Sequence, residues 1–308
     1  MALRGWPRAG LLKTVASAAL LWVYVMVVTR MERRAPAVSS AGDPVCRADM
    51  EVRALPPLPE DDWVMLRKLF TYLTKPHPRA CHKKARFGGY GARRLRDNRQ
   101  VQDGQKYVCM DGEFTLHTSR RCLVYSFGIS TDWSFDWDME WFGCEVLAFD
   151  PSIDVASGSM NGTISFLRYG IGAWDHVTRE GWQIRTLDTF MRYLGHQERT
   201  VHYLKMDVEF DEFEVLRQQV MLGHRSPLAT NVEQLGVELH LTSFLPVWKH
   251  MTFYREMYKT FLALQEMGYY LFHYEQNEII QPDMVVPGVE GQLVSAMEVA
   301  WLKTRCVT

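Results

Sequence analysis

The sequence has little net charge. Its 35 Lys and Arg against 36 Asp and Glu leave -1 at pH 7, too little to hold a polyanion by general electrostatics, so nucleic acid is not an expected partner. Its six cysteines show no Cys-x-x-Cys spacing, which argues against a zinc site, and no metal ligand set is read from the chain. It has no internal repeat and no long low-complexity tract. What remains is ordinary for a globular protein: 47% hydrophobic and 23% charged residues imply a sizeable core. A length of 308 residues admits one large α/β domain or two small ones. The ten Trp are scattered, as core residues are.

The N-terminus is the first informative segment. Arg4, Arg8 and Lys13 precede an uncharged apolar run, Thr14 to Thr29, and Arg30, Glu32, Arg33 and Arg34 follow it. The run is longer than most signal-peptide cores and slightly short of the roughly 20 residues of a standard span. With no small-x-small cleavage site at its end, it reads as a single-pass signal anchor after a short tail of residues 1–13. Residues 30–60, rich in Pro, Ala, Ser and charge, read as a stem. Asn161-Gly-Thr163 is a glycosylation sequon, and Cys109 and Cys122 flank a short polar connection and can pair. Anchor, even cysteine count and sequon together favour a lumenal domain in the Golgi or endoplasmic reticulum, or a secreted one.

Residues 61–105 read as a helix followed by a basic loop. Glu60, Asp61 and Asp62 suit a helix N-terminus, and Trp63, Leu66, Phe70 and Leu73 form one apolar stripe. Between Lys75 and Gln100 lie nine Lys or Arg and one acid, Asp97; this stretch reads as a solvated loop or an anion-binding one. Residues 106–308 then alternate short apolar runs with helical patterns. The strands expected are Leu123–Phe127, Glu145–Phe149, Ile164–Arg168, Val201–Met206, Leu235–Leu241, Tyr269–Tyr274 and Ala296–Lys303. The helices expected are Phe135–Phe142, Leu187–Leu194, Phe210–Met221 and Leu245–Met267. Such alternation implies a mostly parallel sheet covered on both faces.

In open α/β sheets, ligands bind beyond the carboxyl ends of the strands, so strand-end residues carry the functional reading. The first strand ends at Gly128, where a backbone without Cβ can approach a ligand. The second ends at Asp150, 22 residues later, where a carboxylate can accept both hydroxyls of a ribose. The fourth ends in Asp207 and Glu209. Glu238 and His240, two apart and therefore on one face of the fifth strand, are either a general base or a satisfied structural pair.

The stretches Val124-Tyr-Ser-Phe-Gly-Ile129, Trp133-Ser-Phe-Asp136, Gly143-Cys-Glu-Val146, Phe149-Asp-Pro-Ser152 and Leu204-Lys-Met-Asp-Val-Glu209 resemble the methyltransferase-like protein 24 group. That group has the class I methyltransferase fold and is distantly similar to FkbM-type O-methyltransferases. The resemblance runs from about Lys106 to Lys303. It implies a Rossmann-like, seven-stranded sheet with S-adenosylmethionine lying over the ends of its first strands. Ser126, Phe127 and Gly128 would wall the methionine part, Asp150 would hold the ribose, and residues near Tyr169 and Gly170 would border the adenine. Asp207 and Glu209 would face the sulfonium and an unidentified methyl acceptor. The Cys109 and Cys122 pair looks like the family's paired cysteines. Two departures stand out: the first loop has one glycine and no acid within the strand, and Glu209-Phe210 stands where FkbM-like sequences tend to have Glu-Gly.

Methyl transfer to a hydroxyl needs a base within hydrogen-bond reach, and Asp207, Glu209, Glu238 and His240 are the candidates. Two other readings remain open. The sparse glycine loop suits a methyltransferase fold reduced to a binding module. Anchor, stem and an α/β domain also suit a Golgi-type glycosyltransferase, with Asp136-Trp-Asp138 and Asp207-Val-Glu209 holding a divalent metal and a sugar nucleotide.

Overall fold

The computed structural model describes residues 47–306 except 91, 95–97, 99, 113, 115, 117–121, 161, 242–246 and 281–282. The apolar run Thr14–Thr29 and the sequon residue Asn161 therefore lie outside the described residues, among which no helix is long and apolar enough to cross a membrane.

Seven strands carry the fold: β1 (Leu123–Phe127), β2 (Glu145–Phe149), β3 (Ile164–Leu167), β4 (Tyr203–Met206), β5 (Gln234–His240), β6 (Tyr269–Gln276) and β7 (Ala296–Lys303). They lie in the order β6-β7-β5-β4-β1-β2-β3. From β5 across to β3 every neighbour is parallel, while β7 runs antiparallel between β5 and β6. The sheet has eight strands rather than seven, because Gly158–Ser159 pairs antiparallel along the outer edge of β3. Two residues are too few to show a period.

Parallel strands covered on both faces read as unbroken apolar runs, and here alternate residues serve opposite layers. Leu123, Tyr125 and Phe127 enter one core with Leu147, Phe149, Leu204 and Met206. Val124, Val146, Ala148 and Tyr203 enter the other. Of the helices, α1 (Asp62–Thr74) begins at Asp61, whose Oδ1 accepts from the Val64 N–H at 2.8 Å. Leu66, Phe70 and Leu73 of its expected stripe are buried in the first core, whereas Trp63 is partly exposed. The other side of the sheet is covered by α2 (Ser134–Phe142). Three more helices follow: α3 (Leu187–Tyr193), α4 (Glu212–Leu222) and the short α5 (Pro227–Thr230). Then α6 (Met251–Glu266) buries Tyr254, Tyr258, Phe261 and Leu264, as its period demands, and ends before Gly268 at φ +92°. Its expected start at Leu245 falls outside the described residues.

The expected helix start at Phe210 moves to Glu212, because Glu209 and Phe210 take positive φ, 55° and 81°, and a left-handed pair cannot continue a right-handed helix. The basic stretch expected as a loop carries strands. Lys84–Phe87 pairs antiparallel with Lys106–Cys109, and Ala92–Arg94 with Gln100–Gln102. This layer is fixed to the sheet by Gln234, whose amide accepts from the Cys109 N–H at 2.8 Å and donates to its carbonyl at 2.9 Å.

The expected Cys109 and Cys122 pair does not form. Cys109 is bonded to Cys81 and Cys122 to Cys144. Register explains the second bond: Leu123 of β1 lies opposite Glu145 of β2, so the residues just before them meet with Cα atoms 4.4 Å apart. Register alone does not explain the first, since Lys84, three residues after Cys81, is the residue opposite Cys109; the N–H groups of His82 and Lys83 donate to the Asp111 carboxylate and hold Cys81 beside that strand. Cys306 is also disulfide-bonded.

Candidate functional site

The chain runs outward from β1 through β2 to β3, then returns to β4 on the other side of β1. This reversal opens a crevice at the strands' carboxyl ends, and a cavity of about 880 Å³ lies there. Its walls include Phe127, Gly128, Asp150, Gly170, Asp207, Glu209, Glu238 and His240, which brings eight of the ten expected site residues together. The other two are set back from it. Ser126 is wholly buried within β1. Tyr169 packs edge-on against Phe190, with the Arg185 guanidinium 5.9 Å from its ring centre.

Gly128 serves a closer approach than a ligand's. At φ +75° a Cβ there would overlap the backbone carbonyl of Asp207, so glycine is what lets the β1 turn press against the exit of β4. Lys205, inside an otherwise apolar strand, donates from Nζ to the carbonyls of Phe127 (3.2 Å) and Gly128. Asp150 completes the turn. Its Oδ2 accepts from the N–H groups of Ile129 (3.0 Å) and Ser130 (2.8 Å), and its Oδ1 from the N–H and hydroxyl of Ser152 (2.8 and 2.6 Å). The four acceptor sites of a carboxylate are thus engaged, and only the Ser152 hydroxyl is free to rotate away in favour of another donor. Gly170 and Ile171 pair with Ile184 and Arg185, and with Trp182 they give the cavity an apolar wall.

On the opposite wall the carboxyl ends of β4 and β5 gather charge. Lys106 is 1% exposed; it reaches in from the outer layer to pair with Glu298 and lies 3.5 Å from Asp207 Oδ2, with Lys205 at 3.9 Å. Burial would push the Asp207 carboxyl up, but these two ammonium groups hold it below the usual range. Glu238, whose Oε1 accepts from Asn277 Nδ2 at 2.6 Å, is pushed up to about 7 by burial and by the charge of Asp207. His240 Nδ1 lies 2.9 Å from the buried Glu212 carboxylate, which also accepts from the Val208 N–H at 2.9 Å. Burial works against the imidazolium, but this bond and the surrounding acids outweigh it and raise His240 to about 9. Nε2 points the other way, 3.6 Å from Glu209 and 4.0 Å from Glu238. Glu209 itself is largely exposed.

Lys106, Lys205, Glu212, Asn277 and Glu298 were not expected at the site. Lys205 alone carried a signal, a charge inside an apolar strand; the others come from distant segments and show no local pattern. Asp136 and Asp138 do not join the crevice. Asp136 is wholly buried on α2, with its carboxyl pushed up to about 6 by that burial. Asp138 accepts from the Gly88 N–H at 2.7 Å and from Tyr90.

A family model described as a methyltransferase domain matches residues 69–287, well over half of the chain. The chain is also similar to "Probable methyltransferase-like protein 24" of Homo sapiens, at 26% identity over 212 residues that cover 64% of this chain and 55% of that protein. The Rattus norvegicus protein of the same name matches at 26% over 212 residues, covering 64% and 56%. The chain spans about half the length of the curated relatives it matches.

Proposed function

The chain belongs to the methyltransferase-domain family, and from that premise we propose that it transfers a methyl group from S-adenosylmethionine to an oxygen of an acceptor held in the β1–β4 crevice. One observation carries the reading: a single cavity joins the Gly128 turn and its apolar wall to the charged ends of β4 and β5. The residues fit the cofactor. A cavity of about 880 Å³ has the capacity of a cofactor site, Ile171, Ile184 and Trp182 offer an apolar wall to adenine, and the acids of β4 and β5 suit a sulfonium.

When bound, the cofactor supplies an electrophilic methyl on a positively charged sulfur. The chain's own task is alignment. Asp150 and Lys205 shape the turn, one by accepting backbone N–H groups and the other by donating to carbonyls. Asp207, Glu209 and Glu238 face the acceptor's hydroxyl and can take its proton. An acceptor oxygen held there would take the methyl carbon, with the neutral thioether as leaving group and the proton on one of these carboxylates.

We further propose that the domain lies in the lumen of the secretory pathway on the Thr14–Thr29 anchor. The bonds Cys81–Cys109 and Cys122–Cys144 suit that oxidising compartment.

Titrating the full chain in detergent with S-adenosylmethionine, by calorimetry, tests the activity. One-to-one saturable binding is expected, competed by S-adenosylhomocysteine and weakened at least tenfold in Asp150→Ala. Saturable binding of a UDP-sugar in its place, or no binding of S-adenosylmethionine, would overturn the reading.

A further inference from the structure

We propose that Asp207, Glu238 and His240 form a site for one first-row divalent cation, such as Mn²⁺, that holds the acceptor oxygen. The inference rests on the methyltransferase reading for its purpose and on separate geometry for its existence.

One ligand atom from each residue falls within 4.8 Å of the other two. A single ion about 2.0–2.2 Å from each ligand spans that spread with small side-chain shifts. The residues come from rigid elements, Asp207 from the exit of β4 and the other two from one face of β5. All three line the cavity, so an ion there would keep open positions for a substrate.

The orientation of His240 is independent of that cluster. Glu212, 1% exposed, takes the Nδ1 side of the ring at 2.9 Å, leaving Nε2 as the atom aimed into the site. A carboxylate behind an imidazole is the arrangement that orients a metal-binding histidine and strengthens it as a donor. At Nε2 a metal ion takes the place of a proton.

Charge points the same way. Lys106 has Glu298 as its close partner and Lys205 gives its hydrogens to two carbonyls. Glu238 has the amide of Asn277, and among the described residues no Lys or Arg lies within ion-pair distance of it. Two lysines beside Oδ2, Lys106 at 3.5 Å and Lys205 at 3.9 Å, do not exhaust the roughly four acceptor sites of Asp207.

Two carboxylates with one imidazole favour Mn²⁺ or Zn²⁺ over Mg²⁺, which prefers oxygen alone in a strict octahedron. An acceptor hydroxyl bound at an open position becomes more acidic. Its proton can pass to Glu209, whose carboxylate lies 3.6 Å from His240 Nε2 and faces solvent.

The test is Mn²⁺ binding to the chelator-stripped full chain, followed by the loss of the free-ion electron paramagnetic resonance signal, with no S-adenosylmethionine present. One equivalent should bind saturably, and Mg²⁺ should compete poorly. Glu238→Gln and His240→Ala should each weaken binding tenfold or more. Glu212→Gln leaves the three ligands in place and should still weaken it about ten- to a hundredfold. Thermal unfolding of each stripped variant separates loss of the site from loss of the fold. Absence of saturable Mn²⁺ binding, or equal binding by wild type and Glu238→Gln, overturns the proposal. If S-adenosylmethionine still binds in that case, the cation site falls and the methyltransferase reading stands.

Discussion

A methyl group on Gly128 has no room: φ is +75° and the new Cβ would overlap the Asp207 carbonyl oxygen. The left-handed backbone alone costs a side chain roughly 1–2 kcal/mol, and relieving the overlap means pushing β1 and β4 apart where the cavity begins. Gly128→Ala should therefore lower stability by about 3 kcal/mol or more, read as a shift in urea midpoint, and should abolish S-adenosylmethionine binding in whatever fraction folds. Gly181 makes the comparison. It also has positive φ, +86°, but nothing lies within 4 Å of its added Cβ, so Gly181→Ala should cost only about 1–2 kcal/mol and leave binding unchanged. Equal effects of the two substitutions would refute the steric account. At the same scale, Asp150 shows why a strand-end acid is hard to interpret from position alone: a carboxylate placed to meet a ribose is equally placed to bind the N–H groups of Ile129, Ser130 and Ser152.

Among the elements, the two disulfides with both halves described fix strand ends: Cys122 and Cys144 each stand one residue before a strand and Cys109 ends one, while Cys81 lies outside any strand. Cys122–Cys144 clamps β1 to β2 at their amino ends across 22 residues, and Cys81–Cys109 closes the outer layer across 28. Loops of this length make each bond worth about 3 kcal/mol through the unfolded chain. The double variant Cys122→Ala/Cys144→Ala should lose that much in denaturant unfolding. Peptide mapping without reduction should recover 81 with 109 and 122 with 144; a 109–122 peptide would contradict the register of β1 and β2. The main strands were legible in the sequence to within two residues because buried parallel strands need continuous apolar runs, which few other elements show. The strands of the basic layer were not, since Lys84–Phe87 mixes two cations with two apolar residues and reads as a loop. The charged side of the crevice was half legible. Asp207, Glu209 and His240 announce themselves by ending strands, whereas Lys106 lies 192 residues from its partner Glu298, and only the folded sheet brings such a pair together.

Across the whole molecule the sheet has two chemically different poles, and the one opposite the cavity governs acid stability. There Arg199 bonds Glu145 at the start of β2, and its guanidinium lies 3.2 Å from His196 Nε2. An arginine can only donate, so this nitrogen must accept, which leaves Nδ1 with the hydrogen shared with Tyr125 at 2.8 Å. His202 accepts from the Leu123 N–H through Nδ1 at 3.1 Å and must likewise be neutral. Burial, with the charge of Arg199, lowers His196 to about 3 and His202 to about 4. A folded pKa below the unfolded 6.5 means that the unfolded chain binds protons first. The stability these rings contribute is therefore complete above about pH 6.5 and is lost as pH falls from there toward the folded values. Each should cost about 1.4 kcal/mol per pH unit in that window, or about 2 kcal/mol by pH 5. Other buried acids titrate in the same range, so the clean measurement is a difference. His202→Asn keeps an acceptor for Leu123 and does not titrate; urea midpoints of wild type and variant should differ little at pH 8. Below pH 6.5 the wild type should weaken relative to the variant, by about 2 kcal/mol at pH 5. Curves that stay parallel from pH 8 to pH 5 would mean that His202 takes up its proton equally in the folded and unfolded chains, and would refute the account.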